Sequence, residues 1–270
     1  MSASATTATA ASARTSNAFQ SSLASRVATA LVLVYAVYAA TQLGFSWERF
    51  VNGLGGGAKF LSRMFPPDVS KTDVLWAGIA ESLQIAVLAS LSGILISLPI
   101  GLMGARNLMP GWLSWSARAV VSVCRSLHPV IVAILFVKAV GFGALAGILA
   151  LVVASVGFIG KLFAEAIEEI SIKQVEAVRA TGASFMNVIL FGVLPQVLAR
   201  FVGFATYQLD SNLRNSTMVG IVGAGGVGGV LFSAFQRFDY DFVLTILLTI
   251  IAIIVVGEVL ANSVKKVFHV

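Results

Sequence analysis

Residues 167–195, IEEISIKQVEAVRATGASFMNVILFGVLP, decide how the rest of the chain is read. Long apolar segments flank this polar interval on both sides. It holds Glu168, Glu169, Lys173, Glu176 and Arg179 in a chain where charge is scarce. Ser171 and Gln174 are spaced as a capping box, so a helix is expected to start at Ile172. Gly182 stands where that helix would end on a residue in the left-handed region. A second helical run follows, and Pro195 is expected to close it. The interval reads as helix, glycine turn, helix, held outside a bilayer between two membrane spans.

Composition sets the solvent. Of 270 residues, 58% are hydrophobic and 11% charged, with a mean hydropathy of +0.93. Soluble domains carry about 25% charge. The fold class is therefore an all-α integral membrane protein of about six transmembrane helices. The net charge of +6 fits cationic cytoplasmic loops and does not point to nucleic acid. The single cysteine, Cys124, allows no disulfide within the chain. The two histidines, His128 and His269, are far apart, so no metal or cofactor site is expected.

Residues 1–22 are mostly Ser, Ala and Thr and are expected to form a disordered cytoplasmic tail. Their lack of acids also suits a transit peptide, but the apolar run after Arg26 is too long for a signal-peptide core. Residues 23–73 hold a first span, about 27–45, and an outer segment. In that segment Lys59 to Phe65 is short and amphipathic, and Pro66-Pro67 ends it. Its Arg49, Lys59, Arg63 and Lys71 run against the positive-inside rule. Residues 74–264 form the core, with spans at about 79–103, 112–140, 144–163, 197–217 and 242–260. Pro99 should kink the first of these, and His128-Pro129 should break the second. Glu81 and Gln84 lie near an outer end, and Arg118 and Arg125 share one helix face. Residues 265–270 form a cytoplasmic tail anchored by Lys265 and Lys266. Six spans place both termini on the side of the polar loop, together with Arg106, Lys161, Lys173, Arg179 and Arg200.

Residues 210–229, DSNLRNSTMVGIVGAGGVGG, form the second motif. Gly223, Gly225 and Gly228 match G-x-G-x-x-G, but no strand precedes them, so the dinucleotide reading fails. No Walker A loop is present. Two readings remain. Irregular backbone at the end of a span could line a wet cavity and turn free N–H groups toward an anion. Alternatively, small residues allow close helix packing.

Glu176, Ala177, Gly182, Leu194 and Pro195 keep the spacing of the EAA loop of ABC-importer permeases, which this interval resembles. Val178 and Gly192 depart from that pattern, replacing the second Ala and an Ile. Asn212, Arg214, Ser216, Gly220, Val222, Gly223, Ala224, Gly225, Gly226 and Gly228 resemble the phosphonate-transporter branch of the same permeases. So do Ala105 to Leu108, and Arg125-Ser126 followed by Pro129, although His128 displaces that branch's usual proline. The likeness covers roughly residues 70–262.

The resemblance implies a type I importer permease in a bacterial plasma (inner) membrane, working by alternating access without covalent chemistry of its own. A coupling helix at about Ile172 to Thr181 would dock on an ATPase subunit, with Glu176 its polar contact. The implied partners are a second permease (identical or a related paralogue), two ABC ATPases that bind ATP and Mg, and an extracytoplasmic substrate-binding protein. Phosphonate, phosphite or phosphate is the implied cargo, and another small solute such as an amino acid is the alternative. Charge at membrane depth usually faces a cavity or a partner, and arginine suits phosphorus oxyanions. The expected pathway residues are Arg214 and Arg125, then Ser216, Thr217, His128, Gly225 and Gly226. Each has a structural alternative: an i, i+4 pair with Asp210 for Arg214, a pair or snorkelling for Arg125, and a satisfied role at the kink for His128. An ATP-independent secondary transporter would want repeats or midplane acids, of which Glu258 is the best example. A membrane enzyme would want clustered His, Asp or Ser on one interface, and two distant histidines argue against it.

Overall fold

A computed structural model describes residues 23–44 and 46–267. The tail expected at 1–22 and the last residues of the C-terminal tail lie outside them. The chain divides into two compact units, residues 1–60 and 61–270.

The first unit holds α1 (Leu23–Gln42) and most of α2 (Trp47–Ser62). None of α1 is buried, and its apolar residues point in every direction. A helix of this length with apolar residues all round requires a lipid environment. α2 starts twelve residues before the expected amphipathic segment and takes in four glycines. Ser46 explains the early start, since its hydroxyl accepts the Arg49 N–H at 3.2 Å and caps the helix. Trp47, Phe50, Val51 and Leu54 then recur at helical spacing along one exposed face.

The second unit is a helical bundle. It contains α3 (Thr72–Gly104), α4 (Gly111–Ser126), α5 (Pro129–Val140), α6 (Ala144–Glu168), α7 (Ile172–Ala180), α8 (Phe185–Ile221), α9 (Val227–Gln236) and α10 (Tyr240–Val267). Five helices of the described chain, α1, α3, α6, α8 and α10, are long and apolar enough to cross a membrane. The α4–α5 pair makes a sixth if it counts as one span, bent by 91° at the break. The break falls where expected: His128 takes an extended conformation and Pro129 opens the next helix.

The main packing pair is α3 on α6. Ile85, Ala89, Ser90, Gly93, Ser97, Gly101 and Gly104 line the buried face of α3 at three- and four-residue spacing. A β-carbon on Gly101 would stand 2.8 Å from the Phe163 ring and 3.1 Å from the Gly160 carbonyl. Without a hydrophobic drive between helices in lipid, such close approach supplies the association. In the middle of the bundle α3, α6 and α8 share a buried polar network. The Asn212 amide donates to Ser90 Oγ and Ser155 Oγ, both at 2.9 Å. Gln208 Nε2 donates to Ser155 Oγ and to Asn212 Oδ1, also at 2.9 Å. Polar groups at this depth must satisfy one another, and these four tie three helices together.

Pro195 does not close the second helical run. Helix α8 passes through it without a break, because the turn before it, Val188–Val193, widens to π-helix. A proline inside a helix loses one backbone bond and presses on the preceding turn, and a widened turn accommodates both. The second helix of the polar interval is thus the first part of the next span.

Candidate coupling and pathway sites

The helix of the polar interval begins at Ile172, as its sequence predicts, but not by the expected bonds. The Ser171 hydroxyl makes no cap. The other bond of the box comes from Gln196, in α8, instead of Gln174: its Oε1 accepts the Ser171 N–H at 3.0 Å, and its Nε2 donates to the Gly192 carbonyl at 2.6 Å. Gly182 ends the α7 turn at φ +77°, the conformation its position demands. Val175 turns inward, 1% exposed, and packs with Val188, Val193 and Phe163. Gly192 lies under α7, where a β-carbon would stand 3.4 Å from Val175 Cα. The departure from isoleucine at this position therefore has a local reason: α7 rests close against the π-turn.

The acids of the interval divide into two groups. Glu168 accepts the Arg106 N–H at 2.9 Å and lies 2.7 Å from the Arg118 guanidinium. Glu169 pairs with Arg200. The Asn107 amide donates to the Ile167 carbonyl at 2.8 Å. These contacts fix the base of the loop. Glu176 points the other way. It is exposed and forms no ion pair or hydrogen bond with any described residue. Ala177 beside it and Met186 beyond the turn are exposed too.

The expected pathway residues do not gather in one place. Arg214 pairs with Asp210 at 2.6 Å, one turn away on α8. The Ser216 hydroxyl is buried and turns back onto the Leu213 carbonyl at 2.8 Å. Thr217 lies beside a small apolar crevice formed with Leu213, Val227 and Ile250. The His128 ring accepts the Val130 N–H at 3.3 Å and caps α5. The Arg125 side chain makes no ion pair or hydrogen bond with any described residue and faces a cavity between α3, α4 and α6.

The glycine-rich turn is a packing device with an internal anion. Gly223, Gly225 and Gly226 all take positive φ. The Gly226 N–H donates to Glu81 Oε2 at 2.8 Å, and the Val227 N–H to Ser82 Oγ at 2.9 Å. A carboxylate on α3 thus already holds the start of α9, where an outside anion was one sequence reading. Sequence reasoning placed Glu81 only near the outer end of a span, where it could reach water or line a cavity, and an acid near the end of an apolar span was the available signal. Glu81→Ala should lower the stability of the solubilised protein by about 1–2 kcal/mol, and Glu81→Gln, which still accepts a bond, by less. Thermal unfolding monitored by tryptophan fluorescence checks this.

The fold and this site define a polytopic helical membrane protein that presents a short, firmly based helix at one end of its bundle. The chain belongs to the family described as the binding-protein-dependent transport system inner membrane component, whose model matches residues 97–269. It is 39% identical to the phosphite transport system permease protein PtxC of Stutzerimonas stutzeri, over 81% of this chain and 80% of that one. It is also 39% identical to the phosphate-import permease protein PhnE of Mycolicibacterium smegmatis, over 76% of this chain but only 39% of that protein's length. Among solved structures it is similar to the MetNI methionine ABC transporter in an inward-facing conformation. That match has a TM-score of 0.66 and 25% identity, and covers 74% of this chain and 99% of the other. The fold is that of type I ABC-importer permeases.

Proposed function

We propose that this chain forms the translocation pathway of an ATP-driven importer for a phosphorus oxyanion: phosphonate, phosphite or phosphate. The observation that carries the cargo class is the 39% identity to the phosphite permease along four-fifths of both chains. Methionine-permease relatives match at 25% identity and support the fold more than the cargo. In this reading Glu176, Ala177, Gly182, Leu194 and Pro195 form the coupling unit. Glu176 supplies the contact to an ATPase, and Gly182 aims the helix. Two ATPases bind ATP and Mg, a second permease completes the pathway, and an extracytoplasmic binding protein delivers the anion. Both termini and α7 lie on the cytoplasmic side of the inner membrane. Along the route Arg125 offers an unpaired cation, and Asp210 holds Arg214 in place. Ser216, Thr217, His128, Gly225 and Gly226 are the further pathway residues of this reading.

The cargo is tested by uptake into proteoliposomes holding all components, with phosphonate, phosphite, phosphate and methionine offered in parallel. Accumulation of one or more phosphorus oxyanions and exclusion of methionine is the expected result. Accumulation of methionine alone contradicts the cargo assignment.

A further inference from the structure

A cavity of about 450 Å³ opens between α3, α4 and α6. Arg118, Arg125 and Lys161 line it, with the hydroxyl residues Ser122 and Ser126, and no acid is among its lining residues. Two of the cations are already engaged. Arg118 meets Glu168 at 2.7 Å and donates from Nε to the Gly104 carbonyl at 2.8 Å. Lys161 faces Glu165 at 3.5 Å. Among the described residues Arg125 has no such partner.

The sequence builds this arrangement with two glycines on α6. A β-carbon on Gly157 would stand 2.8 Å from Arg125 Cγ and 3.1 Å from its backbone nitrogen, and one on Gly160 would stand 3.1 Å from a Val121 methyl. Their absence lets the α4 backbone rest on α6 and roots Arg125 beside Gly157. Gly157 is eleven residues from Glu168, the end of α6, or roughly 16 Å at about 1.5 Å per residue. The unpaired guanidinium therefore starts near the middle of the span, and the cavity runs from there toward the Glu168 end. This face of α6 is not the one that carries the Ser155 network, since two residues turn a helix by roughly 200°.

A charge at membrane depth is costly unless water or a counter-charge meets it. Here three cations and two hydroxyls converge on a cavity in the size range of small-ligand sites. We infer that this cavity binds a phosphorus oxyanion, with Arg125 as its principal donor and Lys161 and Arg118 as flanking cations. The same chemistry describes a transported anion in transit and the phosphate of an anionic lipid headgroup reaching in from the bilayer. Assignment to the transported anion rests on the function proposed above; anion binding itself does not.

The test uses the full-length chain in non-ionic detergent, without ATP or transport. Inorganic phosphate is titrated by equilibrium dialysis, and phosphatidylglycerol in mixed micelles is followed by native mass spectrometry. Arg125→Gln and Lys161→Gln should each weaken binding by about tenfold, the lower bound for losing a hydrogen bond to a charged group. Arg125→Lys should fall between Arg125→Gln and the unsubstituted chain. Thermal unfolding of each variant confirms that it is folded. Phosphate binding that depends on both residues supports the site with a free anion as its ligand. Lipid binding alone, with the same dependence, supports the site with a headgroup as its ligand. Binding of neither probe, or equal binding by the unsubstituted chain and both glutamine variants, overturns the inference. A chain that imports methionine yet binds phosphate here would keep the site and sink the proposed cargo.

Discussion

Gly228→Ala is expected to destabilise the solubilised protein by about 2–3 kcal/mol, with a matching loss of folded protein in the membrane. The added β-carbon would fall on the Thr217 carbonyl, 2.9 Å from that residue's carbonyl carbon and 3.0 Å from Gly220 Cα. All of these are backbone atoms of α8, which cannot swing aside as a side chain can. Gly229→Ala is the control. Its β-carbon would find only the Gly220 carbonyl, at 3.7 Å, an ordinary contact, and alanine is the better helix former. Adjacent glycines in the same short helix should therefore respond oppositely. Equal tolerance of both substitutions in thermal unfolding would show that α8 and α9 do not cross as described.

The second large effect concerns coupling. Gly182 sits at φ +77° with open space around it, so an alanine there meets no clash and carries only the backbone penalty. That penalty is about 1–2 kcal/mol for a residue forced into the left-handed region. The turn relaxes by re-aiming α7. Glu176→Ala removes the exposed carboxylate without touching the core. The double variant should assemble, keep its Val175 packing, and lose ATP-driven uptake by at least about tenfold, the equivalent of one 1.4 kcal/mol interaction at the docking surface. Gly182→Asn should lose less than Gly182→Ala, because asparagine tolerates the left-handed region. Uptake per assembled complex, compared across these variants, reads the effect. Normal uptake by the double variant would remove the coupling role from Glu176 and Gly182.

Much of the fold was legible because lipid leaves few options. Apolar runs of span length and the His128-Pro129 break stand where composition and punctuation put them. The start of α7 and its Gly182 end were legible from local chemistry alone. The interval's other features depend on partners distant in sequence. Gln196 accepts the Ser171 N–H that the Gln174 side chain was expected to accept, and nothing near Ser171 announces a glutamine 25 residues away. The π-turn before Pro195 is a tertiary accommodation, so the proline read locally as a stop. The glycine-rich turn was ambiguous between an anion nest and helix packing. The missing information was that Glu81, 145 residues before Gly226, reaches its N–H. The pathway residues were the least legible. Charge at membrane depth marked Arg125 and Arg214 alike, each with a structural alternative, and the fold shows Arg125 facing a cavity while Arg214 makes the Asp210 pair that was its alternative.

The most direct measurement is solute uptake into proteoliposomes with and without the ATPase partner and ATP. The permease alone should move nothing, and accumulation should appear only when binding protein, ATPase and ATP are all present. Uptake by the permease alone, unchanged by ATP, would contradict this dependence and make this chain a secondary transporter.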